Sequence, residues 1–210
     1  GVEGHPATLT IASTNALERS YVNPNLLLKS DLAVAIDVPS TTTLRNTDNQ
    51  YGDAPILGLH GDMIEDGGKR SLSITSTKPG YYIGVWGNNR LTGDVTISNA
   101  FVLVEKTDAG CGYAQALGAS NTVKVLSGAK LDIGGFDMPE SQTLELTGTL
   151  RTRNYTPAVT GAWNGPVVLK DGGSFDGPGA DLKVNGVISG EADLVKTGPN
   201  VLELAADNTY

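Results

Sequence analysis

The feature that most constrains this chain is the length and period of its apolar runs. Nearly every candidate element is short and alternates apolar with polar residues at period two, which is the strand signal and not the 3.6-residue helical one. Leu32, Val34, Ile36 and Val38 set the pattern, and it recurs at Leu72 and Ile74, Ile83 and Val85, Val95 and Ile97, Val123 and Val125, and Leu131 and Ile133. It continues at Leu144 and Leu146, Val167 and Leu169, Leu182 and Val184, and Leu202 and Leu204. No amphipathic helix is evident beyond turns near Ser13 to Arg19 and Gly110 to Leu117. Each strand therefore has one wet face, which disfavours doubly wound parallel sheets, whose strands are apolar on both sides. An antiparallel sandwich and a parallel β-helix remain.

Between these strands lie clusters of Gly, Asn, Asp, Ser and Pro: Glu65 to Lys69, Gly87 to Asn89, Gly134 with Gly135, Asp171 to Ser174, and Asp176 to Asp181. Such residues supply positive φ and side-chain capping of turns. The 27 glycines in 210 residues predict many tight turns around a core of small aliphatic side chains.

Internal repetition separates the two architectures. The segments 78–91 (KPGYYIGVWGNNRL) and 197–210 (TGPNVLELAADNTY) align without gaps, with Ile83 on Leu202, Val85 on Leu204, Asn89 on Asn208 and Leu91 on Tyr210. In both, a Pro/Gly turn precedes an apolar-x-apolar strand and an Asn-containing corner. Repeated strand-turn units read as a solenoid, because one repeat cannot bury its own apolar face.

The C-terminal copy carries a resemblance. Ile188, Ser189 and Gly190 are followed by Leu194, Lys196, Thr197, Gly198, Leu202, Leu204, Asn208, Thr209 and Tyr210. This order resembles the autotransporter-associated β-strand repeat, or passenger-associated transport repeat, of bacterial autotransporter passenger domains. Asn200 stands where the family usually has its second glycine, and Ala206 where it often has Gly. Upstream, Asn89, Leu91, Thr92, Gly93, Val95 and Ile97 keep the corner and the next strand, and the similarity extends over roughly 72–210.

The resemblance implies an all-β right-handed parallel β-helix, exported across a Gram-negative envelope and displayed outside the cell. Residues 1–70 are expected to be rungs of the same solenoid, and 71–210 a β-helix containing both repeats. At about 20 to 25 residues per coil, the expectation is about nine rungs. The chain opens at Gly1 with no initiator Met, basic n-region or apolar h-region, which predicts a processed segment. It stops at Tyr210 where the family pattern continues, which predicts a longer parent.

Charge narrows the function classes. Fifteen basic against 23 acidic residues give a net charge of −8, which repels nucleic-acid backbones and anionic lipid surfaces on average. No apolar run approaches the ~20 residues of a membrane-spanning helix. Cys111 is the single cysteine, between Gly110 and Gly112, so no intrachain disulfide and no thiolate metal site can form.

The densest polar constellation is His60, Asp62, Glu65, Asp66, Lys69 and Arg70. Paired carboxylates could serve acid/base hydrolysis of a glycan, or oxygen ligands could hold calcium, but acidic residues beside Gly67 and Gly68 are also what a solvated turn contains. The expectation is that Asp62, Glu65 and Asp66 are exposed and too far apart to share a proton. Tyr81, Tyr82 and Trp86, and separately Trp163, could stack on sugar rings or pack the core. The sequon Asn154, Tyr155, Thr156 is discounted on the bacterial reading. No ordered GxGxxG, GxxxxGK[ST] or Gly-x-Ser-x-Gly sequence occurs.

Taken together, these features predict a non-catalytic structural or adhesive β-helical segment of a secreted or surface-displayed bacterial protein: a stalk, adhesin or filament component. No catalytic residue, cofactor or metal is expected. Expected partners are surface glycans or other copies stacked end to end, without nucleic acid or membrane insertion. The competing reading is a carbohydrate-active or glycan-binding β-helix with a groove lined by Asp and Tyr.

Overall fold

A computed structural model describes residues 5–12, 20–22, 24–37, 57–77, 82–104, 114–152, 160–177 and 180–210. All strand pairs in it are parallel, and the chain coils as a β-helix. The first sheet has eight strands: Ala7–Ala12, Leu32–Asp37, Leu72–Ser76, Val95–Ser98, Thr122–Val125, Thr143–Leu146, Val167–Leu169 and Ile188–Gly190. The second has eight as well: Ser20–Val22, Leu57–Leu59, Tyr82–Val85, Phe101–Val104, Lys130–Asp132, Thr149–Arg151, Ser174–Asp176 and Val195–Lys196. The third side is shorter. Leu26–Leu28 pairs there with Met63–Glu65, and Asp137–Met138, Gly161–Trp163, Leu182–Val184 and Leu202–Leu204 form a four-stranded sheet. Between these groups a 3-10 turn, Ala114–Leu117, fills the corner where the sequence indicated a turn.

Eight strands in the first sheet, followed by a bridge from Ser189 to Thr209 that begins another pass, stand against the nine rungs expected. The difference comes from unequal coils. Side-chain bonds between neighbouring coils span 20 to 28 residues at Asn208, Asn89 and Thr152, but 40 at Asp31. Leu32–Asp37 pairs directly with Leu72–Ser76, so the first sheet runs on across residue 70.

Alternation acquires its meaning from register. On the first sheet Leu32, Leu72, Val95, Val123, Leu144, Val167 and Ile188 form one inward column, and Val34, Ile74, Ile97, Val125, Leu146 and Leu169 the next. All are buried. Second-sheet strands contribute Leu57, Ile83, Val102, Leu131, Leu150 and Phe175, and the third side Met138, Trp163 and Val184. These residues form one continuous core, with Leu202 and Leu204 packed against it half-buried in the last described coil. At about 25 cal/mol per Å² of apolar surface, each fully buried aliphatic side chain stabilises the fold by roughly 1.5 to 3 kcal/mol.

Two sequence expectations change. Ser174 and Asp176, assigned to turns, lie in a strand whose one inward residue is Phe175, and a single apolar position makes no visible period. The two aligned repeats enter different sheets, Tyr82–Val85 the second and Leu202–Leu204 the third side. What they share is the corner: Asn89 Oδ1 accepts the Met63 N–H at 2.6 Å, and Asn208 Oδ1 accepts the Ile188 N–H at 2.8 Å, each one coil away.

Corner Asn and Asp residues therefore serve less to supply positive φ, which among the described non-glycine residues only Asn99 adopts, than to tie coils together. Asn25, Asp31 and Asp181 each accept a backbone N–H from the following coil, and Asn164 donates to Met138 O. Such bonds satisfy N–H groups that a bend leaves outside the sheet ladders.

Candidate functional site

The polar constellation seen in the sequence lies on two successive corners of the second coil, on either side of Met63–Glu65. His60, Asp62 and Glu65 each have a structural task. His60 stacks edge-on against Trp86 with ring centroids 3.9 Å apart. Burial holds its pKa below 6.5 and so favours the neutral ring. Asp62 donates its N–H to Asn25 Oδ1 and accepts the Asn88 N–H at 2.8 Å, which links three coils.

Glu65 is the most engaged. Its Oε1 accepts the backbone N–H groups of Arg70 at 2.7 Å, Thr92 at 2.7 Å and Gly93 at 3.3 Å, while Oε2 accepts the Thr92 hydroxyl at 2.9 Å. Burial pushes the carboxyl pKa up, but the bonds from Thr92, Arg70 and Gly93 outweigh it and hold the group below its ordinary 4.5. Ionised Glu65 thus clamps its own turn to the turn of the next coil.

The expectation that Asp62, Glu65 and Asp66 are all exposed is corrected: Asp66 is, while Asp62 and Glu65 are half-buried. No two of the three share a hydrogen-bond partner. Apart from the Arg70 N–H, the donors to Asp62 and Glu65 come from residues 26 to 28 positions downstream, which adjacency in sequence does not reveal.

Beside the clamp lies a cavity of about 420 Å³ lined by Ile64, Glu65, Gly67, Gly68, Lys69, Arg90 and Thr92. Lys69 and Arg90 are exposed at its rim and pair with no carboxylate among the described residues. Gly67 holds φ +77° at its open edge. A second hollow of about 750 Å³, with Glu145, Lys170, Asp171 and Glu191 in its wall, opens near the C-terminal coil. Among the described residues, no three His, Cys, Asp or Glu side chains are grouped to hold a metal ion.

The aromatic candidates separate. Trp86 is nearly buried, and its indole lies where a Cβ on Gly84 would stand, so that glycine is a seat for the ring. Trp163 is fully buried in the inward column between Met138 and Val184. Neither tryptophan offers an exposed platform. Cys111, the sequon at Asn154, Tyr81 and the side chain of Tyr82 lie outside the described residues.

A larger feature escaped the sequence reading. Asp132 is fully buried although it points away from the core, with Arg151 Nε 3.4 Å from its Oδ2 and the Arg151 guanidinium 4.9 Å from the centre of the Phe101 ring. Phe101 and Leu103, outward on the same sheet, are buried too. The continuous apolar run Phe101–Val104 was the available signal, since only a strand covered on both faces reads that way.

Compared with protein-family models, curated proteins and solved structures, the chain finds no match in any of the three.

Removing the Glu65 clamp gives a graded expectation. Glu65→Ala leaves three backbone N–H groups without their acceptor and should cost about 2 to 3 kcal/mol in urea denaturation, against about 1 for Asp62→Ala and within about 0.5 for exposed Asp66→Ala. The pH dependence has a definite sign. A carboxyl whose folded pKa is lowered stabilises fully above its unfolded value, here 4.5, and loses that contribution as pH falls through the folded value. His60, whose folded pKa is lowered from 6.5, resists protonation in the fold and adds destabilisation from below pH 6.5 downward. The urea midpoint should fall with pH from 6.5, and Glu65→Gln should flatten the part of the decline below about 4.5.

Proposed function

We propose that this chain is a structural or adhesive β-helical segment of a secreted or surface-displayed bacterial protein, acting as stalk, adhesin or filament component without catalysis. One observation carries the reading: the half-buried carboxylates nearest a cavity are occupied in holding coil to coil. Glu65 has four donors on its two oxygens, leaving little basicity for a substrate proton. An acid/base pair needs the opposite, a carboxyl raised toward neutral pH and within reach of a second.

Rigidity follows from the same architecture. The core is one continuous cluster of stacked columns, so bending it requires opening several parallel ladders together. Continuous hydrogen bonding along the axis suits a part that transmits force or presents a surface at a distance. Its localisation on the outside of a Gram-negative cell rests on the resemblance of residues 188–210 to the passenger repeat. The partners this reading names are surface glycans and further copies of the chain stacked end to end.

The direct test incubates the purified segment with neutral and acidic polysaccharides and measures reducing ends, alongside binding of the same panel to immobilised protein. Retention of a glycan without turnover is the expected result. Turnover that disappears in Glu65→Gln or Asp66→Asn would replace this reading with the enzyme. Antibody raised against the segment should label intact cells of the source organism, and labelling only after lysis would remove the surface assignment.

A further inference from the structure

The cavity beside Glu65 combines three properties. Its walls are fixed: the Glu65 carboxylate ties Arg70 on one turn to Thr92 and Gly93 on the next, so the gap between coils is set before any ligand arrives. Its rim is cationic. Lys69 and Arg90 line it, and the Arg70 guanidinium lies against Gly68, its Nη atoms 3.6 Å from where a Cβ there would stand. Among the described residues that guanidinium makes one long hydrogen bond, 3.5 Å, to Lys69 O. Its floor is partly apolar, with half-exposed Ile64 between the polar groups.

Several cations elsewhere are matched, while exposed Lys29, Lys130 and Lys170 pair with no carboxylate among the described residues. Lys124 meets Asp94 at 2.6 Å, Lys183 meets Glu203 at 2.8 Å, Arg151 faces Asp132, and Lys196 caps the carbonyls of Thr197 and Gly198. Among the described residues Lys69, Arg70 and Arg90 pair with no carboxylate, although the chain carries an excess of acidic residues. Counting Glu65 and Asp66 against them, the cluster holds one net positive charge. Because the Arg70, Thr92 and Gly93 N–H groups are taken by Glu65, the donors left for an incoming anion are the side chains of Lys69 and Arg90.

We infer that this cavity binds a short acidic saccharide, its carboxylate or sulfate held by Lys69 and Arg90 and one sugar face resting on Ile64. The size fits: ligand pockets run from about 300 to 1,000 Å³. Arginine and lysine at a fixed separation recognise an anionic group by charge-assisted bonds. Length is limited by the rest of the molecule. With a net charge of −8 the protein repels a long polyanion, so a ligand bearing one or two charges is favoured over a highly charged chain. This inference rests on the adhesive reading above and assigns it a ligand class and a place.

The test is an amide-resolved NMR titration of the whole chain with digalacturonate, a sulfated disaccharide, the neutral disaccharide of galactose, and inorganic sulfate. Saturable shifts at Gly67, Gly68, Thr92 and Gly93 are expected with the two acidic sugars, with either source of negative charge sufficing. Affinity should fall at least tenfold in Lys69→Ala/Arg90→Ala and stay unchanged in Lys170→Ala at the other hollow. Both rim residues are exposed, so an unchanged thermal midpoint certifies the fold of the double variant. Equal binding by that variant, equal shifts with inorganic sulfate, or no saturation with either acidic sugar would overturn the assignment. Binding of neutral glycans at other residues would overturn this site while leaving the adhesive reading intact.

Discussion

Gly186→Ala should be among the most destabilising single substitutions in the chain, costing on the order of 3 kcal/mol or more and lowering the urea midpoint without changing its slope. A Cβ on Gly186 would fall on the carbonyl oxygen of Gly165, and a Cβ on Gly165 on that of Gln142. The obstructing atoms are backbone, which cannot rotate away as a side-chain tip can. Overpacking typically costs about 1 to 3 kcal/mol where side chains absorb it; here two coils must separate. That corner is followed by strands of the first sheet, and Val167 N–H bonds to Val187 O across it. Gly128→Ala is the control: positive φ of +77° strains it, but nothing lies within 4 Å of the added methyl. Its loss should be confined to about 1 kcal/mol of backbone strain. Equal effects of the two substitutions would show that close coil contact is not what those glycines provide.

Truncating the largest core residues should have an effect of similar size through the opposite defect. Phe175→Ala and Trp163→Ala each remove a fully buried ring from a column with a residue above and below, and should cost about 3 to 5 kcal/mol. Trp163 adds a discriminating variant. Its Nε1 is buried without a hydrogen-bond partner, an arrangement that costs about 1 to 3 kcal/mol. Trp163→Phe loses ring volume but also removes that N–H, so it should cost far less than Trp163→Ala, about 1 kcal/mol. A Trp163→Phe loss equal to the alanine loss in chemical denaturation would show that the indole nitrogen is satisfied in solution.

The sequence by itself determined the fold class. Val123 with Val125, Leu144 with Leu146 and Val167 with Leu169 announce strands because period two is a property of the pleat, readable one residue at a time. The Gly and Asn clusters announce corners for the same local reason. Strands with a single inward side chain, such as Asp137–Met138 and Ser174–Asp176, stayed hidden because one apolar position makes no period.

Only the tertiary structure decided which sheet each strand enters and what the polar residues do. The aligned repeats look equivalent in sequence and occupy different sides, because register depends on the lengths of the intervening coils. Glu65 reads as one more turn carboxylate, yet its donors at Thr92 and Gly93 come from the next coil. Asp132 reads as a strand-end residue and is fully buried beside Arg151. In each case the deciding contact joins residues about one coil apart. In a solenoid that distance is short across the stack and long along the chain, and no local pattern records it.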